Sequence, residues 1–270
     1  MADPRLAALA LTLLIGAAEP ARPAPAAADG AGNRMVPFPA VAPVPPEDSN
    51  RSARHCTSDR ALCAVLRRDG EEAPWRLELS GRAGPARGFA LPDQPGEREQ
   101  LALWPHLVRE AGGAVLIGIE RTQRAWMSGG GGHAVRLRLA RAQTGAAALE
   151  SVLDAPIEGG AMIRACFAES DQRTRAGACH DEYELAGSLR LDPATREGRP
   201  RFLLTARART FPGRRSRLED SQESRRLRRS DLFWWNDPVC TYRRTFAFDA
   251  ATARYAPDRA LPDCGEYLDF

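Results

Sequence analysis

Alternating apolar and polar residues recur along most of this chain, and the alternation predicts β-strands. The segment from Trp75 to Leu79 alternates without a break, and so does the segment from His133 to Leu139. Because successive side chains of a strand point to opposite faces, a period of two is typical of a sheet that buries one face. Similar runs occupy residues 61–66, 114–120, 162–167, 183–191, 202–208 and 242–248.

Turn residues separate several of these runs and indicate how the strands connect. The segment 192–195, which begins with Asp192, separates two runs, and the segment 249–252, which begins with Asp249, separates two more. An aspartate-led turn between apolar runs favours an antiparallel hairpin. The sequence therefore predicts a mainly β fold, with antiparallel sheets in a sandwich, barrel or propeller-like arrangement pinned by disulfides.

One segment favours a helix instead of a strand. Residues 97–110, from Glu97 to Glu110, have no strict alternation, and Pro105 interrupts them. We expect a short or broken helix there, since proline in a helix interior removes a backbone hydrogen bond.

The N-terminus has the pattern of a cleavable signal peptide. After Arg5, the segment from Leu6 to Ala18 is apolar and uncharged, yet it is too short to span a bilayer as a helix. Small residues would allow cleavage before Glu19 or before Asp29. We therefore expect residues 1–18, or 1–28 with the later cut, to be removed, and the mature protein to be periplasmic or secreted with no membrane span.

The residues after the signal peptide differ in composition from the rest of the chain. Residues 19–50 are rich in proline, alanine and glycine and have few large apolar side chains, which predicts a disordered tether. Residues 51–270 are long enough to bury one sizeable core, and we expect them to form a single disulfide-bonded β-domain.

The cysteines support export, because an even number in an exported chain favours disulfides. Zinc binding is the alternative, since His55 and His180 each adjoin a cysteine, but the cysteine spacings do not match common zinc sites. Each bridge is expected to stabilise the fold by about 2–4 kcal/mol. Neighbour pairing is the expected connectivity, and it joins Cys56 to Cys63, Cys166 to Cys179 and Cys240 to Cys264.

The basic residues narrow the possible chemistry. All 38 of them are arginine, so lysine-dependent phosphate loops, Schiff bases and Ser-Lys dyads are excluded. Motifs of zinc proteases, α/β-hydrolases, redox dithiols and dinucleotide-binding folds are also missing, and we expect no cofactor. The net charge of +3 gives no strong indication of nucleic-acid binding.

Two short segments contain candidate ligand-binding or catalytic residues. The glycine run 129–132 is expected to form a flexible hairpin loop with glycines at positive φ, or else a ligand-contacting rim with Trp126 and His133. His180 and Glu182 would share one face of a strand, where they could act as acid and base or simply form a solvated surface.

Two further candidates lie in the C-terminal third. Residues 207–229 contain nine arginines with interleaved acids, which predicts a long exposed loop or an anion-binding site that includes Arg214 and Arg215. Trp235, in an aromatic segment before Cys240, could pack against a disulfide or stack on a sugar ring.

These observations favour a non-enzymatic exported module that binds a component of the cell envelope or a protein partner. One alternative is a secreted hydrolase that acts on cell-wall or glycan material with dispersed acidic and histidine residues. The other is an anion-binding protein that uses the loop 207–229.

Overall fold

The alternating segments form antiparallel strands, which confirms the mainly β prediction. The computed structural model describes residues 27–42, 50–82, 84–143, 145–221 and 226–269. The signal-peptide prediction for residues 1–18 lies outside these ranges, and within them no helix is long and apolar enough to cross a membrane. The elements are β1 (Ala27–Ala28), β2 (Arg34–Pro37), β3 (Ala40–Ala42), β4 (Arg54–Cys56), β5 (Leu62–Arg67), β6 (Arg76–Gly81), β7 (Gly84–Ala90), β8 (Glu99–Arg109), β9 (Val115–Met127), β10 (Gly130–Ala142), β11 (Glu150–Arg164), α1 (Glu169–Thr174), β12 (His180–Leu191), β13 (Phe202–Phe211), β14 (Trp235–Asn236), β15 (Tyr242–Asp249), β16 (Arg254–Pro257) and α2 (Gly265–Leu268).

The described strands form two sheets. The large sheet has the order β1-β2-β8-β9-β10-β11-β12-β13-β15-β16, with β14 paired to β13, and the small sheet has the order β3-β4-β5-β6-β7. The large sheet is an open path with β1 and β16 at its ends rather than a closed barrel. The hairpins predicted at Asp192 and Asp249 are confirmed, and in each one the aspartate Oδ1 accepts a hydrogen bond from the backbone N–H two residues later.

Two buried clusters hold the sheets together in a sandwich-like arrangement. Leu66 and Leu77 of the small sheet pack against Leu107 and Ile117 of the large sheet. A second cluster joins strands that are far apart in the large sheet, such as β2 and β8 with β12, β13, β15 and β16. Because β2 also contacts β12 directly, the large sheet coils far enough for its two halves to enclose a core.

The predicted helix at residues 97–110 is wrong, since this segment is strand β8. Its pairing with β9 shifts register between Leu103 and Leu107, and Pro105 lies within that irregularity. A bulge leaves a residue without a ladder partner, so the missing N–H of proline costs little there. The carbonyl oxygen of Pro105 accepts a hydrogen bond from the N–H of Phe38.

The tether prediction for residues 19–50 is wrong over residues 27–42, which belong to both sheets. Strand β2 pairs with β8 and β3 pairs with β4, while Met35 and Phe38 are buried. Two apolar side chains among many prolines and alanines are enough to anchor this segment because each enters a core that the rest of the chain supplies. The remaining residues of the predicted tether, 19–26 and 43–49, lie outside the described ranges.

The side chain of Asn33 links this N-terminal segment by hydrogen bonds to two turns that are distant in the sequence. Its Nδ2 donates to Asp29 Oδ2 over 2.8 Å and to the carbonyl oxygen of Gly198 over 3.2 Å. Its Oδ1 accepts a hydrogen bond from the N–H of Ala111 over 2.9 Å. Because the Asn33 side chain is fully buried, no solvent can replace these partners.

Three disulfides connect the expected neighbours: Cys56 with Cys63, Cys166 with Cys179, and Cys240 with Cys264. No free cysteine remains, so the thiolates that the zinc alternative requires are not available.

Asn33→Ala is expected to lower the free energy of unfolding by about 2–4 kcal/mol, because it leaves the Asp29 carboxylate and the Ala111 N–H with fewer partners in a buried site. Chemical denaturation of the purified protein measures this. Asn236→Ala is the matched control, since Asn236 is exposed, and it should change the stability by less than about 0.5 kcal/mol. Equal effects of the two substitutions would contradict the role of Asn33.

Candidate functional site

An extra residue in β11 sets the geometry of the candidate site. Leu137 of β10 lies opposite Ala155 of β11, but Val135 lies opposite Glu158, so the pairing skips Ile157. This β-bulge changes the face on which the following residues of β11 lie relative to β10. As a result, the Glu158 side chain lies on the same face as His133 instead of the opposite one.

Below the bulge, the five strands from β9 to β13 align in register, and one face of this part of the sheet is exposed. Residues directly opposite each other in an antiparallel pair lie on the same side of the sheet. One row from β9 to β13 consists of Arg124, His133, Gly160, Glu184 and Arg209, and the adjacent row consists of Trp126, Gly131, Met162, Glu182 and Phe211.

A surface cavity of about 700 Å³ lies over these rows. We call it the glycine groove, because Gly131 and Gly160 form part of its floor. A Cβ atom at Gly131 would lie 2.9 Å from Cε3 of Trp126, and one at Gly160 would lie 2.8 Å from the carbonyl oxygen of Tyr183. Glycine is therefore required at both positions by close packing. The lining also includes the larger side chains of Arg124, Trp126, His133, Glu158, Met162, Glu182 and Glu184.

Two large apolar side chains of the groove are open to solvent. Trp126 is 84% exposed and Met162 is 51% exposed. The indole of Trp126 lies beside Gly131, where a Cβ atom would approach Cε3 and Cζ3 of the ring, and most of the ring is exposed to solvent. A large aromatic side chain with this exposure is unusual in a folded protein and indicates a contact surface.

Four ionisable side chains lie at one end of the groove. His133 Nε2 lies 2.9 Å from Glu158 Oε1. A smaller cavity of about 320 Å³ shares these two residues and Arg124 with the groove and is lined also by Glu120. Burial raises the pKa of the Glu120 carboxyl, and the nearby Glu158 carboxylate raises this pKa further.

The two acids of β12 have different surroundings. Glu184 Oε2 accepts a hydrogen bond from Nε of Arg209 over 2.7 Å, and the Arg209 guanidinium lies 4.2 Å from the ring centroid of Trp234. Glu182 has no hydrogen-bond or ion-pair partner within the described ranges. It is therefore the acceptor in the groove that is most readily available to a ligand.

The structure brings three of the sequence candidates into the glycine groove: Trp126, His133 and Glu182. His180 lies outside it, exposed at the first position of β12 opposite Arg164. His180 and Glu182 lie two positions apart on one face of β12, as expected, and no hydrogen bond joins their side chains. Glu120, Arg124 and Glu158 were not predicted from the sequence, because their positions depend on the bulge and on pairing between strands.

The prediction of a flexible glycine loop with positive φ is wrong for most of the run. Only Ser128 and Gly129 form the turn, while Gly130–Gly132 belong to β10 and pair with both neighbouring strands. Close approach of the adjacent strands explains the glycines better than turn geometry does, since a Cβ at Gly130 would meet the carbonyl oxygen of Met162.

The arginine-rich segment 207–229 is only partly a loop. Arg207 and Arg209 are in strand β13, and residues 222–225 lie outside the described ranges. Arg217 donates to the carbonyl oxygens of Gly265 and Asp269, and the hydroxyl of Ser216 donates to Glu266 over 2.6 Å. The described part of the loop therefore packs against the C-terminal segment.

A second cavity, of about 770 Å³, lies under this loop and contains Arg214, Arg215 and Trp235. The Arg214 guanidinium lies 5.4 Å from the ring centroid of Trp235. Asp237, Asp263, Glu266 and Asp269 line the same cavity, so its charge is mixed. The mixed charge makes it a less favourable anion site than the arginine count of the segment suggests.

Comparison with known proteins finds no match to this chain among protein family models, curated proteins or solved structures.

Glu120→Gln is expected to stabilise the protein at neutral pH. A carboxyl whose folded-state pKa is raised favours the protonated form, so its ionisation opposes folding above that pKa and has no cost well below it. Thermal unfolding should show a higher Tm for the variant at pH 7. The difference should shrink as the pH falls from the raised pKa towards the ordinary pKa of 4.5, and it should be absent below 4.5. Glu197→Gln, at an exposed turn position, serves as the control and should show no such gain. A gain for Glu120→Gln that persists unchanged at low pH would contradict the assignment.

Proposed function

We propose that this protein is an exported, non-enzymatic module that binds glycan material of the cell envelope in the glycine groove. The observation that carries the proposal is the exposed ring of Trp126 beside a floor of glycine backbone. An aromatic ring next to a flat surface can stack against the apolar face of a sugar, while neighbouring polar groups accept its hydroxyl protons.

The polar side chains of the groove suit this ligand class. Glu182 and Glu158 offer carboxylate oxygens as acceptors, and His133 and Arg124 offer donors, all around the exposed ring. Hydrogen bonds to charged groups are stronger than those between neutral groups, so a few of them can orient a sugar. The groove is open along its length, which favours an extended chain over a small enclosed ligand.

Export is supported by two independent features. The N-terminal pattern favours a signal peptide, and three disulfides are typical of proteins in an oxidising compartment. Within that proposal, the mature protein resides in the periplasm or is secreted.

A second candidate is the hydrolysis of glycan by the same groove. It is favoured by Glu120, whose raised pKa is the property of a general acid, in the cavity that also holds Glu158. The two candidates differ in one measurement. Under hydrolysis, the protein releases new reducing ends from a bound oligosaccharide, and Glu120→Gln or Glu158→Gln abolishes the release without abolishing binding.

Trp126→Ala is expected to weaken oligosaccharide binding by at least about tenfold, or about 1.4 kcal/mol. The measurement is calorimetry with soluble peptidoglycan fragments and with neutral oligosaccharides such as chitohexaose and cellohexaose. Because Trp126 is exposed, its removal should leave the Tm unchanged. Leu218→Ala removes an equally exposed apolar side chain, 88% exposed, from the other cavity and should bind as the parent does. If no sugar binds, or if both variants bind equally, the glycan proposal fails.

Expression of the full chain in a bacterial host is expected to yield a processed periplasmic or secreted protein. Its intact mass without reduction should correspond to a start at Glu19 or Asp29 and to three disulfides. Replacing Leu13 and Leu14 in the apolar run with arginine should block processing, since an h-region must stay uncharged. Processing that is insensitive to this change, or free thiols in the recovered protein, would argue against export.

A further inference from the structure

The exposed face that holds the glycine groove continues across β12, β13 and β15 into a basic patch. Ser188 of β12 lies opposite Thr205 of β13, and Thr205 lies opposite Arg243 of β15. Arg207 follows two positions after Thr205, and Arg190 two positions after Ser188, so all five side chains lie on one side of the sheet. We call them the arginine face.

The guanidinium groups of this face make no polar contact with the described part of the protein. Arg190, Arg207 and Arg243 are exposed, and none of their guanidinium groups has a hydrogen-bond or ion-pair partner in the part of the chain that the structure describes. The hydroxyl oxygens of Ser188 and Thr205 lie 2.9 Å apart between them. The acids that border this face are engaged elsewhere: Glu184 with Arg209, Glu158 with His133, and Asp258 with backbone N–H groups of β15 and its own turn.

Buried side chains on the opposite side fix this face in place. Leu189, Leu204 and Ala206 alternate with the exposed residues and pack in the core. The positions of the guanidinium groups are therefore set by rigid strands rather than by a loop. Arginine is suited to carboxylate and phosphate because its planar donors match two oxygen atoms at once.

The charges along the whole face favour one class of ligand. Trp126 lies at one end of the face. Arg207 lies four strand spacings, or about 19 Å, across the sheet from Trp126 and about 13 Å further along the strands. A nucleic acid or an anionic membrane presents negative charge at every position and would be repelled by Glu158 and Glu182. A polysaccharide in which neutral and acidic sugars alternate can place neutral rings in the groove and a carboxylate on the arginines.

We infer that the arginine face binds the acidic groups of an anionic polysaccharide whose neutral sugars occupy the glycine groove. This inference rests on the proposed glycan binding and names its ligand class. Arg207 and Arg243 hold the acidic group, Arg190 supports it from β12, and the hydroxyls of Ser188 and Thr205 donate to it.

The test compares Arg207→Gln/Arg243→Gln with the parent protein, using a hyaluronan oligosaccharide as the acidic probe and chitohexaose as the neutral probe. The double variant should bind hyaluronan at least about tenfold more weakly, because two charge-assisted contacts are lost, and should bind chitohexaose as before. Arg82→Gln/Arg98→Gln is the matched control, since it removes the same charge from exposed positions outside this face. It should bind both probes as the parent does.

Further measurements separate the possible outcomes. Hyaluronan binding to the parent should weaken at higher ionic strength, whereas chitohexaose binding should not. If the double variant binds hyaluronan as tightly as the control does, the inference fails while glycan binding stands. If hyaluronan binding depends on the arginines but no sugar depends on Trp126, the glycine groove proposal fails instead. Tighter binding of oligo-dT or phosphatidylglycerol vesicles than of hyaluronan would overturn the inference in favour of nucleic acid or membrane.

Discussion

The β-bulge at Ile157 is the constraint on which the candidate site depends. Above it, β10 and β11 pair so that Leu137 and Ala155 are buried together. Below it, the shifted register places Glu158 and Gly160 on the same face as His133. Without the extra residue, Gly159 would lie opposite His133, and Glu158 would point to the side of the sheet on which α2 packs.

Two regions with different chemistry lie on one face of the large sheet, and strands rather than loops form both of them. The glycine groove combines an exposed aromatic ring with carboxylates, and the arginine face offers unpaired cations. Both consist of outward-facing residues of strands whose other residues form the core. Because these strands are buried on one side, the relative positions of the two regions are fixed by strand spacing. A ligand that spans them must therefore match that distance.

Local patterns in the sequence were sufficient for much of the fold. Alternation in segments such as His133–Leu139 predicted strands, and the turns at Asp192 and Asp249 predicted hairpins, because both signals arise between residues close in the chain. The predictions were wrong where contacts with residues far along the chain determine the local structure. Pro105 is accommodated by a bulge against β9, and Met35 and Phe38 are buried by strands far along the chain. For the same reason Trp126, His133 and Glu182 were recognised one at a time, whereas Glu158 joins them only through the register of β11.

The short spacing of the disulfide partners affects how the chain can oxidise as it folds. The partners are separated by 7, 13 and 24 positions, and each cysteine pairs with the next one along the chain. Closing a short loop costs less chain entropy than closing a long one, so each correct partner is also the most accessible one as the chain emerges. Oxidation of the cysteines in their order along the chain therefore favours the native bridges over mispaired ones.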